Sequence, residues 1–479
     1  MKTVVRGSMN RRNFMKSSAA ALLAGGVPGL AGPVFAAGPG GRTLLRGGVV
    51  LSGDPAVGDF DKADVLIEGK KIVAVRPNIK AEATIIDAGR MIVMAGFIDT
   101  HHHFYQSALR NVLANGLLVD YFKDISGAAT GFYRPEDAYI GNLIGAIRSL
   151  DAGITTITDL SQVSNTPAHS DALIKGLKES GIRALYAYSR GSGPAAKYPQ
   201  DMERLQKQYF ASSDQLVTLA MGTAIDKDQW ALARKHGVRI FTHVVGGTRG
   251  VGPEDLEKLG EAGLMGPDNV YIHLTGASNN LMKKVADTGG SLSVASAIEM
   301  TMRHGIPPIQ QALDHGVRPS LSSDVEVTMA ADMFTQMRTV FTLQRALINE
   351  RSIKGEKDLP KLLTTRDVIE FATIAGARTN GLEAKTGTLT PGKEADIVML
   401  RTDTTNVLPL NNAYGAVVTG MDTSNVDTVF VAGRVVKRHG RLVGVDLARL
   451  GRMAASSRDY LIAKTGWPRS VLDTATPGH

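Results

Sequence analysis

The chain has 479 residues, of which 43% are hydrophobic and 21% charged, and it contains no cysteine. This composition is ordinary for a globular enzyme and excludes low-complexity disorder, while the lack of cysteine excludes disulfides, cysteine zinc sites and thiol nucleophiles. The formal net charge is +8, but five Lys or Arg residues precede residue 37, where no Asp or Glu occurs, so only +3 remains for the rest. No other basic cluster occurs in the sequence, and we expect no nucleic-acid-binding face.

The first 36 residues have the organisation of an export signal. The pair Arg11-Arg12 precedes an apolar, small-residue stretch, Ser17–Ala36, and Val34-Phe35-Ala36 is a suitable cleavage site. This order predicts a Tat-type signal peptide over residues 1–36 and a periplasmic or secreted protein. The alternative is a retained membrane anchor. We favour cleavage and no stable membrane insertion, because the six Gly and Pro residues of this stretch make a poor spanning helix.

Short strand patterns then occur near both ends of the chain. Thr43–Leu51 and Ala63–Val75 are matched, far along the sequence, by Ala395–Leu400, Val426–Val431 and Arg434–Lys437. A hairpin is expected near residue 70. Alternation of apolar and polar residues is typical of half-buried strands. The pattern predicts a small β-sandwich domain built from residues 43–95 and 386–447, with residues 448–479 as a C-terminal tail.

The middle of the chain alternates β-branched runs with helical patterns, which is typical of successive βαβ units. Eight strands are predicted, at Met91–Ile98, Ile154–Thr158, Ala184–Tyr188, Val217–Met221, Val238–Thr242, Val270–Ile272, Leu292–Ala295 and Arg318–Ser322. Eight parallel strands with intervening helices favour a closed (β/α)8 TIM-like barrel, assigned to residues 96–385, over an open sheet. No GxGxxG motif follows the first of them, which argues against a dinucleotide-binding fold.

Residues of the metal-ligating types recur where these strands end. His101 and His103 are two positions apart at the end of the first strand, so their side chains point to the same side. His243 follows the fifth strand, His273 the sixth and Asp324 the eighth. Because barrel active sites are built at the C-terminal ends of the strands, we expect these side chains to meet at one rim.

These features resemble the amidohydrolase superfamily, in the branch that contains cytosine and 8-oxoguanine deaminases and atrazine chlorohydrolase. The resemblance covers nearly all of residues 43–447. It rests on the rim residues and on the segments Gly96–Gln106, Gly305–Pro308, Asp332–Arg338 and Gly387–Asp396. The family is strongly indicated by these segments, whereas they carry little information about the substrate.

The resemblance implies a metal site formed by His101, His103, His243 and Asp324. Binuclear relatives add a carboxylated lysine at the fourth strand, and here that strand ends Ala220-Met221-Gly222-Thr223 without one. We therefore expect one divalent metal, with zinc as the first choice and iron or manganese as alternatives.

The ligand set predicts attack by metal-bound hydroxide, and the resemblance implies hydrolysis of a non-peptide carbon–nitrogen bond in a small cyclic or heteroaromatic substrate. Deamination is the favoured reaction. Asp324 is predicted to carry the proton, His273 to polarise the attacked bond, and Asp99 to support the metal ligands. Gln106 and Glu299 are predicted to contact the substrate.

Two departures from the deaminase pattern bear on the reaction. After the seventh strand, the usual His-Cys-Pro-type segment is replaced by residues Ala295–Glu299. Deaminases of this branch carry Glu three residues after the strand-five histidine, and here that position is Gly246. Glu299 and Glu326 are the candidates for a replacement acid. Alternatives are a hydrolase of cyclic amides (lactams or imides), a dechlorinase-type hydrolase of the same fold, and, in another class, a non-catalytic periplasmic solute-binding protein. A homo-oligomer is left open. The remaining histidines are interpreted as loop or surface residues; they are His169, His236, His304, His315 and His439.

Overall fold

The computed structural model describes residues 41–248 and 250–467. The predicted signal peptide (1–36) and the end of the predicted tail (468–479) lie outside the described residues. Within the described ranges, no helix combines the length and the apolar character needed to cross a membrane.

Two sheets organise the described chain, and their strands are numbered along the sequence. The first five strands are β1 Arg42–Leu51, β2 Phe60–Glu68, β3 Lys71–Arg76, β4 Thr84–Asp87 and β5 Met91–Ala95. The next eight are β6 Phe97–His102, β7 Ile154–Ser161, β8 Arg183–Tyr188, β9 Val217–Thr223, β10 Ile240–Val244, β11 Asn269–His273, β12 Ser291–Val294 and β13 Ser320–Leu321. The last four are β14 Ile397–Arg401, β15 Val426–Val431, β16 Arg434–Arg438 and β17 Arg441–Leu442.

Strands β6 to β13 form a parallel barrel in which each strand pairs with its neighbour in sequence. The ends of this sheet meet where the Thr100 hydroxyl donates to the Leu321 carbonyl at 3.0 Å and the Asp324 amide donates to the His101 carbonyl at 3.1 Å. Apolar side chains such as Phe241 and Ile272 fill the interior. The predicted (β/α)8 barrel is confirmed, and its closure brings the first and eighth strands side by side.

Helices follow the barrel strands and cover their outer face. The α-helices are α1 Leu118–Asp120, α2 Pro135–Asp151, α3 Pro167–Ser180, α4 Met202–Tyr209, α5 Lys227–Lys235, α6 Pro253–Glu261, α7 Asn279–Asp287, α8 Ser296–Thr301, α9 Ile309–Asp314, α10 Met333–Ile353, α11 Thr365–Glu370, α12 Gly376–Thr379, α13 Ala413–Gly415 and α14 Leu447–Thr465. Segments of π-helix occupy Tyr121–Ala129, Phe371–Ala375 and Ala416–Gly420. Turns of 3-10 helix occupy Phe104–Leu109, Thr130–Phe132 and Thr423–Asn425.

The second sheet joins the two ends of the chain. Its strand order is β17-β16-β15-β14-β5-β1-β2-β3, with β4 paired to β1. Side chains from both ends, including Val50, Ile67, Ile397 and Phe430, pack into one core. The small domain predicted from the two chain ends is thus present as a nine-stranded sheet wrapped around a shared core.

One predicted strand is divided between the two sheets. Met91–Ile98 was expected to form the first barrel strand, but Met91–Ala95 pairs in the small sheet and the barrel strand begins at Phe97. A Cβ at the intervening Gly96 would lie 2.3 Å from the Thr155 side chain. This close approach requires glycine at position 96, where the chain passes from the small sheet to the barrel. β6 then begins at Phe97 and carries His101 to the rim, with His103 directly after it.

Candidate metal centre and active site

Three imidazoles and one carboxylate converge at the C-terminal rim of the barrel. The Nε2 atoms of His101 and His103 are 3.1 Å apart, and Nε2 of His243 lies 3.1 Å from that of His101. One oxygen of Asp324, Oδ1, is 3.6 Å from Nε2 of both His101 and His103. Among the described residues, His101, His103 and Asp324 form one group whose ligand atoms lie within 4.8 Å of one another, and His243 forms another with His101 and His273.

The chemistry of this donor set fits a divalent ion. Nδ1 of His103 lies 2.7 Å from the Leu160 carbonyl, so Nδ1 carries the proton and Nε2 keeps its lone pair for a ligand. Burial lowers the pKa of His103 to about 3 and that of His101 well below its usual value. Burial and the neighbouring histidines also lower the pKa of His243. Neutral imidazoles and one carboxylate are the ligands that zinc and similar ions prefer.

The fourth barrel strand, β9, carries small residues at its C-terminal end and no lysine. β9 ends at Thr223, whose hydroxyl lies 2.8 Å from that of Thr242 and accepts a hydrogen bond from the Trp230 indole at 3.1 Å. Small hydrogen-bonded side chains thus occupy the end of the fourth barrel strand.

Asp324 has a strained backbone that the first strand holds in place. Its φ is +59°, in the left-handed region that non-glycine residues rarely adopt. Its amide donates to the His101 carbonyl at 3.1 Å, and its carbonyl accepts from the His103 amide at 2.9 Å. Burial raises the pKa of Asp324 to about 6.

His273 is oriented between two carboxylates. Its Nδ1 lies 3.0 Å from Oε1 of Glu299, and its Nε2 lies 3.7 Å from Oδ2 of Asp324. Burial alone would lower the pKa of His273, but the hydrogen bond to Glu299 and the charge of Asp324 outweigh it and raise the pKa. The backbone of His273 has a φ of +68°, and Nε2 of the ring is directed at Asp324.

The two predicted substrate contacts have different surroundings. Glu299 is fully buried on the Nδ1 side of His273, away from Asp324, and its Oε1 also accepts from the Ala295 amide at 2.8 Å. Gln106 is fully buried as well, and its amide donates to the hydroxyls of Tyr105 at 2.8 Å and Tyr121 at 2.6 Å. Among the described residues, Oε2 of Glu299 and Oε1 of Gln106 have no hydrogen-bond partner.

Glu326, the other candidate for a replacement acid, is occupied elsewhere. Its Oε1 accepts from Nε of Arg110 at 2.9 Å, and its Oε2 accepts from Nη2 of Arg110 at 3.1 Å and from the Ser107 hydroxyl. Both oxygens are satisfied, so the structure gives Glu326 the role of fixing the segment after the first strand.

Gly246 occupies a position where no side chain fits. A Cβ there would lie 2.8 Å from the Thr275 carbonyl oxygen and 3.2 Å from the Cα of Gly276. Its amide donates to the Thr275 hydroxyl at 3.1 Å. The missing glutamate is thus accompanied by close packing of the loops after the fifth and sixth strands.

Asp99, which the sequence predicts to support the metal ligands, lies at the rim, and His304 extends the predicted site. Asp99 accepts from the amides of His101 and Ser323, each at 3.2 Å, and from the Ser323 hydroxyl, which ties the two ligand-bearing loops together. His304, interpreted from sequence as a loop or surface residue, is buried, with its ring centroid 4.8 Å from that of His273. The only sequence signal for His304 was its neighbour Gly305 in the segment Gly305–Pro308.

Residues 92–436 match the amidohydrolase family. The 5'-deoxyadenosine deaminase of Methanothermobacter thermautotrophicus is 26% identical over 423 residues, covering 83% of this chain and 94% of that protein. The 5-methylthioadenosine/S-adenosylhomocysteine deaminase of Pyrococcus abyssi is 25% identical over 426 residues, covering 84% and 95%.

Solved structures share the fold. An adenosine deaminase from Xanthomonas campestris with bound zinc superposes with a TM-score of 0.77 at 20% identity, covering 88% of this chain and 98% of that one. A variant of atrazine chlorohydrolase from Arthrobacter aurescens, complexed with zinc and atraton, gives 0.76 at 22% identity, covering 87% and 100%. The family match spans most of the chain and includes every rim residue described above, and the protein therefore belongs to the amidohydrolase family of metal-dependent hydrolases that act on non-peptide carbon–nitrogen bonds.

Proposed function

We propose that this enzyme hydrolytically deaminates an aminated heteroaromatic ring, with adenine nucleosides as the first substrates to test. The observation that carries the proposal is the similarity, over 83% and 84% of the chain, to enzymes named as deaminases of adenine nucleosides. The rim geometry supports it, because a hydrolytic deaminase needs an activated water, a proton carrier and a group that polarises the ring. Candidates for all three lie within one cluster here.

We assign one divalent ion, zinc first, to His101, His103, His243 and Asp324. When bound, such an ion supplies Lewis acidity and lowers the pKa of water towards ~7. The hydrogen bond between Nδ1 of His103 and the Leu160 carbonyl leaves the lone pair of Nε2 free for a metal, which supports this assignment. So does the zinc named for two proteins of the same fold.

Asp324 and His273 carry the proton and the polarisation. Asp324 directs Oδ1 towards the imidazole cluster and Oδ2 towards His273. It can take a proton from the attacking water and return it to the leaving nitrogen. Glu299 fixes Nδ1 of His273 at 3.0 Å, so that Nε2 can donate a hydrogen bond to the ring atom on which charge develops.

A second reaction of the same site is favoured by Gly246. Deaminases of this branch use a glutamate at that position to protonate the leaving amine, and here a Cβ would lie 2.8 Å from a carbonyl oxygen. Removal of a leaving group that needs no proton, as in dechlorination, or opening of a cyclic amide with Asp324 as the only proton carrier, fits this arrangement.

We also propose export through the twin-arginine signal of residues 1–36, with a mature N-terminus near Ala37. N-terminal sequencing of periplasmic protein tests this. An intact signal segment recovered with the membranes would contradict it.

A substrate panel separates the reactions. Metal-loaded protein is incubated with adenosine, 5'-deoxyadenosine, cytosine, a chlorotriazine and a cyclic imide, and ammonia, chloride and ring-opened product are followed. Ammonia from an aminated ring supports deamination. Chloride or ring opening alone supports the second reaction, and a metal-containing protein that converts none of the five contradicts both. Asp324→Asn protein is the control for contaminating activity.

A further inference from the structure

His304 is a buried histidine whose side chain makes no hydrogen bond to any residue that the structure describes. The residue is only 5% exposed, and neither Nδ1 nor Nε2 has a hydrogen-bond partner among the described residues. Most buried polar groups in folded proteins are hydrogen-bonded, and an unpaired one destabilises the fold. An imidazole with two unmet nitrogens therefore requires a functional explanation.

The ring of His304 faces the active site. It stands edge-on to His273, with centroids 4.8 Å apart and planes at 89°. One of its nitrogens lies within 4.8 Å of both a ring nitrogen of His273 and a carboxylate oxygen of Asp324. A molecule that reacts next to Asp324 and His273 is therefore within reach of His304.

The backbone holds His304 firmly in this position. The Thr275 hydroxyl donates to the His304 carbonyl at 2.8 Å and accepts from the Gly246 amide at 3.1 Å. The preceding residue Arg303 has a φ of +61°, a conformation that a non-glycine residue adopts only where the surrounding structure enforces it. Gly305, which follows, has a φ of +125°, which glycine adopts without strain. The same contacts connect His304 to the position from which the usual glutamate is missing.

We propose that His304 contacts the substrate, with at least one ring nitrogen hydrogen-bonded to a nitrogen or carbonyl oxygen of the heterocycle beside the carbon that is attacked. The proposal rests on the proposed function for the kind of ring, and it adds a residue that determines which rings are accepted. Burial lowers the pKa of His304 to about 2, so the ring is neutral and offers one donor and one acceptor.

The test compares His304 with another buried histidine. His169 is 6% exposed, and its ring nitrogens lie 2.8 Å from the Thr166 hydroxyl and 2.8 Å from the Tyr133 carbonyl. We expect His169→Ala to lower the melting temperature and to leave the kcat/KM of the folded enzyme unchanged. We expect His304→Ala to lower kcat/KM for the converted aminated ring at least tenfold, with the melting temperature and metal content of the wild type. His304→Gln, which keeps a donor and an acceptor, should recover part of the loss.

Binding is measured without turnover, by the thermal shift that unsubstituted purine gives the metal-loaded protein. The shift should be present in the wild type and absent in His304→Ala. Wild-type protein that binds purine through His304 but releases no ammonia from any aminated ring contradicts the proposed function alone. The His304 assignment is overturned by an unchanged kcat/KM or a retained purine shift in His304→Ala, or by a wild type that purine does not shift. Loss of metal from the variant, or a fall in melting temperature equal to that of His169→Ala, also overturns it.

Discussion

Two buried polar regions of this molecule differ in how their charges are satisfied. At the contact between barrel and small domain, Nε of Arg183 lies 2.6 Å from Asp396 and its Nη2 lies 2.7 Å from Glu394. At the catalytic rim, imidazole nitrogens face each other at 3.1 Å, and both nitrogens of His304 lack partners among the described residues. The first region is complete within the chain, whereas the second leaves its donors and acceptors for ligands.

The backbone conformation also differs between the domain contact and the catalytic rim. His273 and Asp324 at the rim have φ values of +68° and +59°, while β8, which carries Arg183, is regular along its length. Strain and unmet hydrogen-bonding capacity cost stability, and they persist at sites where binding offsets them. Substitutions in the two regions should therefore have opposite signatures, one in stability and the other in activity.

The largest effect is expected at the domain contact. Arg183→Met leaves the buried Asp396 without its cation, while Glu394 keeps Lys70 at 3.7 Å and Lys71 at 3.9 Å. Loss of a buried partner of this kind costs about 3–5 kcal/mol in the free energy of unfolding. Denaturant unfolding measures this, and the folded fraction should keep its metal content and kcat/KM. Lys207→Met, which breaks an exposed pair with Glu203, is the control and should leave stability unchanged. An Arg183→Met protein with wild-type stability and a reduced kcat/KM would contradict the assignment of a stabilising role to the domain contact.

Asp324→Asn sharpens the comparison from the other side. The amide keeps an oxygen ligand but cannot carry a proton, so kcat should fall at least ~10²-fold, equivalent to about 2.7 kcal/mol. Thermal unfolding should be close to that of the wild type or better, because a buried charge is removed. Steady-state kinetics and a melting curve on the same preparation provide both numbers. A variant with near-normal kcat would remove Asp324 from the mechanism.

Glu299→Gln should give a smaller loss, about tenfold in kcat, because the amide still accepts from His273 but no longer supports its positive charge. Without the negative charge of Glu299 the pKa of His273 falls. The alkaline limb of the pH–activity profile should therefore move to lower pH. The matched variant Glu326→Gln weakens the contact with Arg110 and should affect stability rather than the pH profile. If Glu326→Gln is the more impaired catalyst, Glu326 supplies the replacement acid.

The smallest effect concerns pH and His304. Its pKa in the folded protein, about 2, lies below the unfolded value of 6.5, so the unfolded chain takes up a proton that the folded chain does not. Its contribution to stability is full above pH 6.5 and is lost as the pH falls, at up to about 1.4 kcal/mol per pH unit. His304→Gln should therefore lose less stability than the wild type between pH 6.5 and pH 4.5. If the free energy of unfolding falls equally with pH in the wild type and in His304→Gln over this range, the burial of a neutral ring is contradicted.

The parts of the site that the sequence predicts depend on local patterns. Alternation along a strand brings His101 and His103 to one side, and the rule that barrel sites lie at strand ends assigns His243, His273 and Asp324 to the same rim. Neither inference needs a long-range contact. The eight barrel strands follow from apolar runs in the same way.

What the sequence does not predict depends on contacts between distant segments. Glu326 follows its strand just as Asp324 does, yet Arg110, 216 residues earlier, neutralises it. His304 stands on an irregular turn after α8, where no periodicity indicates the direction of a side chain. The sequence predicts a domain boundary after residue 95, but the need for glycine at position 96, within the strand pattern Met91–Ile98, depends on Thr155, a residue of the neighbouring strand. These features depend on contacts that exist only in the folded barrel, so the sequence alone does not indicate them.

The most direct test of the account is the metal content of the purified protein. Elemental analysis should find one divalent ion per chain, and His101→Ala or His243→Ala should remove most of it, because each deletes one of the converging Nε2 ligands. His439→Ala, at a side chain that is 74% exposed, should retain the wild-type amount. One ion per chain, lost only in the two rim variants, is the predicted result. Two ions per chain, or a full complement of metal in His101→Ala, would contradict the single site at the barrel rim.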